Sequence, residues 1–234
     1  MPGRRGKSGG DRRLSVRVKS ARGRSTSSQK WLRRQLNDPY VAAAKRDGYR
    51  SRAAYKLAEI DDHHNILKPG HRVVDLGAAP GGWTQIAVER AHSRDGHGQV
   101  VAIDILPMDD LGGAEVLELD FMEHCAPDIL RERLRLRHAD VVLSDMAASA
   151  TGHAQTDHMR IMALAEAAGA FALEVLAPGG SFLCKVFQGG TEKNLLDELK
   201  RHFGKVRHVK PPASRTGSSE LYVLAMGFRT TGQQ

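Results

Sequence analysis

The chain has 234 residues, a length that suits one domain of ordinary size with or without a tail, and a net charge of +8. No run of about 18 apolar residues is present, and the two cysteines, Cys125 and Cys184, lie far apart in the sequence. These features exclude a membrane-spanning helix, a disulfide framework and a zinc site of paired cysteines, and they lead us to expect a cytoplasmic protein.

The positive charge is concentrated at the N-terminus. Residues 1–56 hold 17 Lys and Arg against 3 Asp and Glu, whereas the remainder holds 18 against 24. Residues 1–27 have few apolar side chains, so we expect a disordered basic tail that precedes one domain over residues 28–234. A basic arm on a nearly neutral body is typical of a protein that binds a polyanion. The alternative is a tail that only aids solubility.

Three short helices are expected between residues 28 and 64. The second begins at Asp38, an N-cap followed by proline, and ends at Gly48, while Ser51 is expected to cap the third. Basic residues and aromatic residues are interleaved along these helices, which suits a nucleic-acid surface; the alternative is that the aromatic rings are packing residues, which is favoured for Trp31 and Tyr55. The expected RNA-binding residues are Lys45, Arg46, Arg50 and Arg52.

From Arg72 onward the pattern alternates strands with helices, which predicts a parallel sheet with right-handed crossovers. The link between the last two strands is too short for a helical crossover, so those strands should be antiparallel neighbours. Strands are expected at residues 72–76, 99–103, 115–119, 139–144, 180–187, 205–210 and 219–227. Helices are expected near residues 83–92, 127–136, 156–176 and 191–203.

The first of these strands runs into a glycine-rich turn with the sequence DLGAAPGGW, residues 75–83. Strand, glycine turn and helix together bring the backbone close to a nucleotide or nucleoside. The spacing fits neither the dinucleotide fingerprint nor the phosphate-binding P-loop. It resembles the first motif of S-adenosylmethionine-dependent methyltransferases, and the alternative is a tight turn without a ligand.

That resemblance implies an α/β, Rossmann-like fold with a seven-stranded, mostly parallel sheet, an antiparallel last strand and helices on both faces. Asp104 closes the next strand, where a carboxylate accepts hydrogen bonds from ribose hydroxyls. Asp120 follows the third strand and is a candidate for the adenine amino group, with a helix N-cap as the alternative. The residues expected to line the cofactor site are Asp75, Gly77, Gly81, Trp83, Asp104, Asp120 and Asp145.

Four charged residues fall at the carboxyl edge of the expected sheet, where open α/β sheets bind ligands. Asp145 follows the fourth strand, Lys185 lies toward the end of the fifth, and Glu220 begins the antiparallel last strand. Lys56, on the third helix, is positioned to close over them. They match the Lys-Asp-Lys-Glu set of RNA ribose 2′-O-methyltransferases.

The sequence around these residues resembles the FtsJ/RrmJ methyltransferase family, from about residue 31 to residue 228. The matching segments are SRAAYKL at 51–57, DLGAAPGGW at 75–83, LSDMA at 143–147 and KVFQG at 185–189. One departure is Ala148-Ser149, where the family usually continues Pro-Asn. It lies outside the four-residue set, so it concerns the rigidity of the loop and a substrate contact.

The resemblance implies methyl transfer from S-adenosylmethionine to a ribose 2′-hydroxyl, with a uridine of 23S rRNA in the large ribosomal subunit as the acceptor. Lys185 is the candidate general base or hydroxyl-orienting group, Asp145 should orient it, and Lys56 and Glu220 should complete the network. We expect a monomer that needs no metal and no membrane. The alternatives are the same chemistry on tRNA and a non-catalytic RNA-binding ribosome-assembly factor of the same fold, against which the intact four-residue set argues.

Overall fold

The computed structural model describes residues 26–148, 151–188 and 193–230. The expected tail lies outside these ranges, except that its last two residues belong to the first helix. Three helices precede the sheet: α1 (Thr26–Leu36), α2 (Pro39–Asp47) and α3 (Ala53–His64). The division into a tail and one domain stays a prediction.

The rest of the described chain forms a seven-stranded sheet with helices on both faces. Its strands are β1 (Arg72–Leu76), β2 (Gln99–Asp104), β3 (Glu115–Glu118), β4 (Ala139–Ser144), β5 (Leu176–Phe187), β6 (Phe203–Val209) and β7 (Glu220–Phe228). The helices between them are α4 (Gly82–Ala91), α5 (Ala126–Arg133), α6 (Ala154–Val175) and α7 (Lys193–His202), with a short 3-10 turn at Ser93–Asp95.

The strand order is β3-β2-β1-β4-β5-β7-β6. Strands β1 to β5 pair in parallel, whereas β7 is inserted between β5 and β6 and runs antiparallel to both. This confirms the expected Rossmann-like class and the antiparallel last strand. The insertion brings the start of β7 to the edge at which the parallel strands end.

The central strands are apolar on both faces, because helices cover both sides of the sheet. Val73 packs in one buried cluster with α3 and α4, and its neighbour Val74 packs in a second cluster with α5, α6 and α7. Both valines are fully buried. None of the helices in the described part of the chain has the length and apolar character needed to cross a bilayer.

Two expected boundaries differ from the structure by three residues or more. β5 begins at Leu176 instead of residue 180, because Leu176 already pairs with Ala139 of β4. A register shift separates this first pair from the continuous ladder that starts at Ser181. α5 ends at Arg133, because Arg135 and Leu136 adopt left-handed φ angles of 55° and 56° that a helix does not accommodate.

The corner between α1 and α2 is tied to the link between β6 and β7 through Asp38. As expected, Asp38 caps α2, where its carboxylate accepts a hydrogen bond of 3.0 Å from the backbone of Tyr40. The same carboxylate pairs with Arg52 and, at 3.0 Å, with Arg215, and Arg52 also donates to the carbonyl of Ala213.

Ser51 Oγ accepts from the Ala53 backbone at 3.3 Å, although the structure places the cap of α3 one residue later.

We expect Asp38→Ala to lower the free energy of unfolding by on the order of 3 kcal/mol, because it removes a helix cap and leaves Arg52 buried without its carboxylate. Urea denaturation followed by circular dichroism measures this difference. Asp128→Ala is the matched control, since Asp128 is exposed and pairs with Arg131 within one helix, an interaction worth less than about 1 kcal/mol. Equal losses in the two variants would contradict the assigned role of Asp38.

Candidate active site

The four charged residues expected at the carboxyl edge form two adjacent ion pairs. Lys56 Nζ donates to both carboxylate oxygens of Glu220, at 2.9 and 3.1 Å. Lys185 Nζ donates to the backbone carbonyl of Asp145 at 2.6 Å and lies 3.2 Å from its carboxylate Oδ1. The structure therefore brings together side chains that are spread over most of the sequence.

A fifth residue, Tyr222, joins the two pairs. Its hydroxyl accepts a hydrogen bond from Lys56 Nζ at 3.1 Å and donates one to Asp145 Oδ1 at 3.2 Å. Burial raises the pKa of Tyr222 well above its ordinary value, and the charges of Asp145 and Glu220 add to the increase, so the phenol remains a proton donor. The five side chains form one continuous chain of hydrogen bonds and ion pairs, called below the lysine–carboxylate network.

Sequence reasoning missed Tyr222 because it lies within an apolar strand pattern. The signal available in the sequence was its spacing of two positions from Glu220 on the expected last strand. In the structure Tyr222 lies directly opposite Lys185 across the antiparallel β5–β7 pair, and Glu220 lies opposite Phe187. Residues directly opposite each other project to the same face of a sheet. Tyr222 and Glu220 are two positions apart on β7, so they share that face as well.

Burial makes the pairing in this network strong. The exposed fractions of Lys56 and Lys185 are 7% and 6%, and a buried ammonium group is stable only when it is paired and hydrogen-bonded. Burial also favours the neutral form of Glu220, but the neighbouring Lys56 ammonium outweighs that effect and holds the pKa of Glu220 below its ordinary value. The Glu220 carboxyl is therefore ionised at neutral pH.

A cleft beside the network is lined by four of the residues expected at a cofactor site. They are Gly77, Asp104, Asp120 and Asp145. The rest of the lining is mostly apolar and comes from the ends of β2, β3 and β4 and from α6. Asp145 lines the cleft and also belongs to the network, so it is the point of contact between the two.

Two acids in the cleft are oriented by the backbone. Asp104 accepts hydrogen bonds from the backbone nitrogens of Ala79 at 2.9 Å and Leu106 at 2.8 Å. Asp120 Oδ1 accepts from Met122 at 2.9 Å and so closes a turn; it does not cap α5, which begins at Ala126. A carboxylate has about four acceptor positions, so both acids keep free capacity toward the cleft.

Gly77 allows the glycine turn to lie against the end of β4. Its φ is +77°, and a Cβ at this position would come within 2.7 Å of the backbone nitrogen and Cα of Met146. Backbone atoms at that distance do not move easily. Only glycine therefore permits this close approach at the floor of the cleft.

Three residues expected to line the cofactor site, Asp75, Gly81 and Trp83, are not among the residues that line this cleft. Asp75 is completely buried and accepts a hydrogen bond from Thr84 Oγ1 at 2.7 Å, which fixes the start of α4 to β1. Gly81 lies beneath the side chain of Arg50, since a Cβ there would come within 2.9 Å of Arg50 Cδ.

Trp83 packs against the tyrosine of the network. Its exposed fraction is 2%, its indole nitrogen donates to the carbonyl of Ala53 at 2.9 Å, and its ring centroid lies 5.5 Å from that of Tyr222. It therefore fixes α3, which carries Lys56, relative to the tyrosine of the network.

The four residues expected to bind RNA divide into two groups. Lys45 and Arg46 are exposed at the end of α2. Arg50 donates to the backbone carbonyls of Asp109 and Asp110, at 2.7 Å each, and Arg52 is held by Asp38 and the carbonyl of Ala213. Arg50 and Arg52 thus help to hold the N-terminal helices and the loops they contact in place, and RNA binding by the four residues stays a prediction.

Within the described ranges, no group of three or more His, Cys, Asp or Glu side chains is arranged to hold a metal ion. The cleft and the network thus make up the candidate site from acids, lysines, one tyrosine and a glycine turn.

Comparisons with known proteins give a consistent result. The family model described as FtsJ-like methyltransferase matches residues 49–228. A protein of Parvibaculum lavamentivorans named ribosomal RNA large subunit methyltransferase E is 62% identical, with 96% of this chain and 91% of that protein covered. A protein of the same name from Paramagnetospirillum magneticum is 61% identical, with 97% and 94% covered.

Among solved structures, a Plasmodium falciparum protein assigned as a ribosomal RNA methyltransferase superposes with a TM-score of 0.67 at 28% identity. The match covers 77% of this chain and 98% of that one. The superposition places the sheet and its flanking helices in a known methyltransferase architecture.

The raised pKa of Asp75 makes the stability of the protein depend on pH. Burial raises the pKa of Asp75 to about 7; the hydrogen bond from Thr84 opposes the increase, and the carboxylates of Asp145 and Asp104 add to it. The unfolded chain releases this proton near pH 3.9. The folded state thus binds the extra proton between these values, so this contribution to stability is complete below about pH 4 and is lost as pH rises toward 7.

Asp75→Asn should therefore lack that pH dependence. Between pH 5 and pH 8 the free energy of unfolding of the wild type should fall by about 3 kcal/mol more than that of Asp75→Asn, as measured by chemical denaturation. Asp62→Asn, an exposed position on α3, should follow the wild type at both values. Parallel curves for the wild type and Asp75→Asn would show that Asp75 is ionised throughout.

Proposed function

Because the chain belongs to the FtsJ-like methyltransferase family, we propose that it is an S-adenosylmethionine-dependent RNA ribose 2′-O-methyltransferase. Its proposed acceptor is a uridine of 23S rRNA in the large ribosomal subunit, and its proposed place of action is the cytoplasm. The observation that carries the proposal is the lysine–carboxylate network beside a cleft whose lining includes the carboxylates of Asp104, Asp120 and Asp145. The specificity for large-subunit RNA is inferred from the names of the relatives described above.

The cleft has features that fit the proposed cofactor. Asp104 and Asp120 offer acceptors for the hydroxyl and amino groups of a nucleoside, and the apolar side chains around them offer surfaces for its base. The floor at Gly77 is a cradle that a Cβ would fill. When bound, S-adenosylmethionine supplies an electrophilic methyl group on a positively charged sulfur, and Asp145 places a negative charge at that end of the cleft.

Lys185 is the proposed group that holds and deprotonates the acceptor hydroxyl. An ammonium group has three N–H donors; the backbone carbonyl of Asp145 receives one of them, and the carboxylate of Asp145 lies 3.2 Å from the nitrogen as an ion pair. A remaining N–H group holds the 2′-hydroxyl, and once Lys185 has given up a proton its nitrogen takes the proton of that hydroxyl as the oxygen attacks. Most of the acceleration then comes from holding the oxygen in line with the methyl group.

The other members of the network act as positioning residues. Tyr222 donates to the carboxylate oxygen of Asp145 that also faces Lys185, so it limits how that carboxylate turns. Lys56 holds Tyr222 from the other side and is itself fixed by Glu220. A shift of either outer residue thus changes the angle at which Lys185 meets the hydroxyl.

Burial of the network argues against a purely RNA-binding factor. Burying two lysines costs desolvation free energy that folding alone does not require. Apolar side chains of similar size often replace buried ion pairs without loss of stability. A protein that only binds RNA would use exposed lysines instead. The placement of both ammonium groups beside the cleft supports catalysis.

We expect Lys185→Ala to lower kcat by about 100-fold to 10,000-fold, the usual range for loss of a general base, and to leave cofactor affinity within about threefold of the wild type. The measurement combines radiolabelled methyl transfer to large ribosomal subunits from cells lacking the enzyme with calorimetric titration of S-adenosylmethionine. Lys205→Ala, an exposed position on β6, is the control and should remain fully active. Near wild-type transfer by Lys185→Ala would refute the assigned role.

We expect Asp104→Ala to weaken S-adenosylmethionine binding by about tenfold or more, since it removes a charged hydrogen-bond acceptor from the cleft. Because Asp104 also binds two backbone nitrogens, thermal denaturation should accompany the calorimetric titration. Asp110→Ala removes an exposed carboxylate from the same loop and should bind the cofactor normally. Unchanged affinity in Asp104→Ala would remove Asp104 from the site.

A further inference from the structure

Arg50 is not among the residues that line the cleft, but its side chain contacts two segments that are. One is the glycine turn, which contributes Gly77 and Ala79 to the lining, and the other is the loop after β2, residues 105–114, which contributes its first two residues. We propose that Arg50 is a positioning residue for cofactor binding, because it holds these two segments together; the inference rests on the proposed function.

The guanidinium group of Arg50 donates hydrogen bonds to three backbone carbonyls. Nη1 donates to Asp109 at 2.7 Å and to Pro80 at 3.5 Å, and Nη2 donates to Asp110 at 2.7 Å. Pro80 belongs to the glycine turn, whereas the other two carbonyls belong to the loop after β2. A guanidinium group suits this position, because its N–H groups reach several acceptors from one rigid plane.

The loop after β2 depends on these bonds. Its start is held by Asp104, which accepts a hydrogen bond from the backbone of Leu106. Among the residues that the structure describes, the bonds from Arg50 are the hydrogen bonds that attach residues 107–110 to another element. Loss of the guanidinium therefore releases the middle of the loop, directly beyond the part that lines the cleft.

The glycine turn packs against the same side chain at Gly81. The φ of Gly81 is +109°, and a Cβ at this position would come within 2.9 Å of Arg50 Cδ and Nη1. Met108 Sδ, from the loop after β2, would lie 3.0 Å from the same Cβ. The turn, the arginine and the loop therefore meet at one point, where glycine leaves room for both side chains.

Arg50 is itself fixed to α4, the helix that follows the glycine turn. Gln85 Oε1 accepts a hydrogen bond of 2.7 Å from the backbone nitrogen of Arg50, and Gln85 Nε2 donates to the carbonyl of Gly48 at 3.0 Å. The next residue, Ser51, packs so closely on the start of α4 that a Cβ on Gly82 would collide with its Oγ. The arginine and the turn thus share one support.

Asp104 joins the same two segments on the side that faces the cleft. Its Oδ2 accepts a hydrogen bond from Ala79 of the glycine turn, and its Oδ1 accepts one from Leu106 of the loop. Asp104 is the proposed acceptor for a hydroxyl group of the cofactor. Because its orientation depends on both segments, a loop that Arg50 no longer holds weakens cofactor binding.

Substitution of the Arg50 side chain leaves the lysine–carboxylate network in place. Gln85 binds the backbone nitrogen of Arg50, so the start of α3 keeps this support in any variant. Lys56 on α3 is bound by Glu220 and Tyr222 of β7, and three strands separate β7 from β2. The effect therefore falls on cofactor affinity and spares the transfer step.

The test compares Arg50→Gln and Arg50→Lys with Arg137→Gln. Lysine keeps the positive charge, but its donors lie on one atom and do not reproduce the planar fork. Arg137 is exposed and precedes β4, so it lies at the opposite edge of the sheet. Calorimetric titration measures the Kd of S-adenosylmethionine, and radiolabelled methyl transfer measures KM for the cofactor and for the large ribosomal subunit.

Both Arg50 variants should bind S-adenosylmethionine about tenfold or more weakly, as expected for the loss of charged hydrogen bonds that order the cleft. KM for the cofactor should rise, whereas kcat at saturating cofactor should stay within about threefold of the wild type. KM for the subunit should be unchanged in Arg50→Lys, which keeps the charge. The control should match the wild type in every quantity.

Two results would overturn the proposal. A direct role of Arg50 in RNA binding gives the opposite division, in which KM for the subunit rises in Arg50→Gln and cofactor affinity stays at the control value. A purely structural role lowers the midpoint of thermal denaturation without cofactor and also leaves cofactor affinity at the control value.

Hydrogen–deuterium exchange separates this proposal from the proposed function. Without cofactor, peptides from residues 105–114 should exchange faster in Arg50→Gln than in the wild type. If the wild type binds S-adenosylmethionine and the Arg50 variants bind it as the control does, the positioning role fails and the function stands. If the wild type does not bind it, the proposed function fails; faster exchange of the loop then still supports the role of Arg50 in ordering the cleft, and unchanged exchange refutes it.

Discussion

The antiparallel insertion of β7 between β5 and β6 is the constraint on which the candidate site depends. It brings the first residues of β7 to the edge where the parallel strands end, so Glu220 and Tyr222 meet Lys56, Asp145 and Lys185. In a parallel orientation the start of β7 would lie at the opposite edge. Lys56 would then be buried without a carboxylate, which the fold does not tolerate.

The network balances its charges within a buried volume. Two ammonium groups face two carboxylates, and a phenol with a strongly raised pKa joins them without adding charge. Because Lys56 donates to Glu220 and Tyr222, and Tyr222 donates to Asp145, these side chains are held at fixed angles before a substrate arrives, which is the arrangement that favours in-line transfer. Asp145 belongs to this network and also lines the cleft.

The basic residues of the N-terminal helices serve two different purposes. Arg50 donates to backbone carbonyls of the loop after β2, and Arg52 binds Asp38 and a carbonyl of the link between β6 and β7. These contacts hold the N-terminal helices against the two loops. Arg33 and Arg34 remain exposed on α1 and line a groove between the corner joining α1 to α2 and the link joining β6 to β7. The positive charge of this region is thus partly structural and partly available to an anionic partner.

The sequence alone determined the features that depend on neighbouring residues. Apolar runs located the strands to within a few residues, the glycine spacing identified the turn, and the matched motifs selected Lys56, Asp145, Lys185 and Glu220. Only the tertiary structure decided that Tyr222 links the two ion pairs and that Arg50 and Arg52 donate to backbone carbonyls of distant loops. The partners of these three residues lie at least 14 positions away in the sequence, and a local pattern contains no information about which distant groups the fold brings into contact.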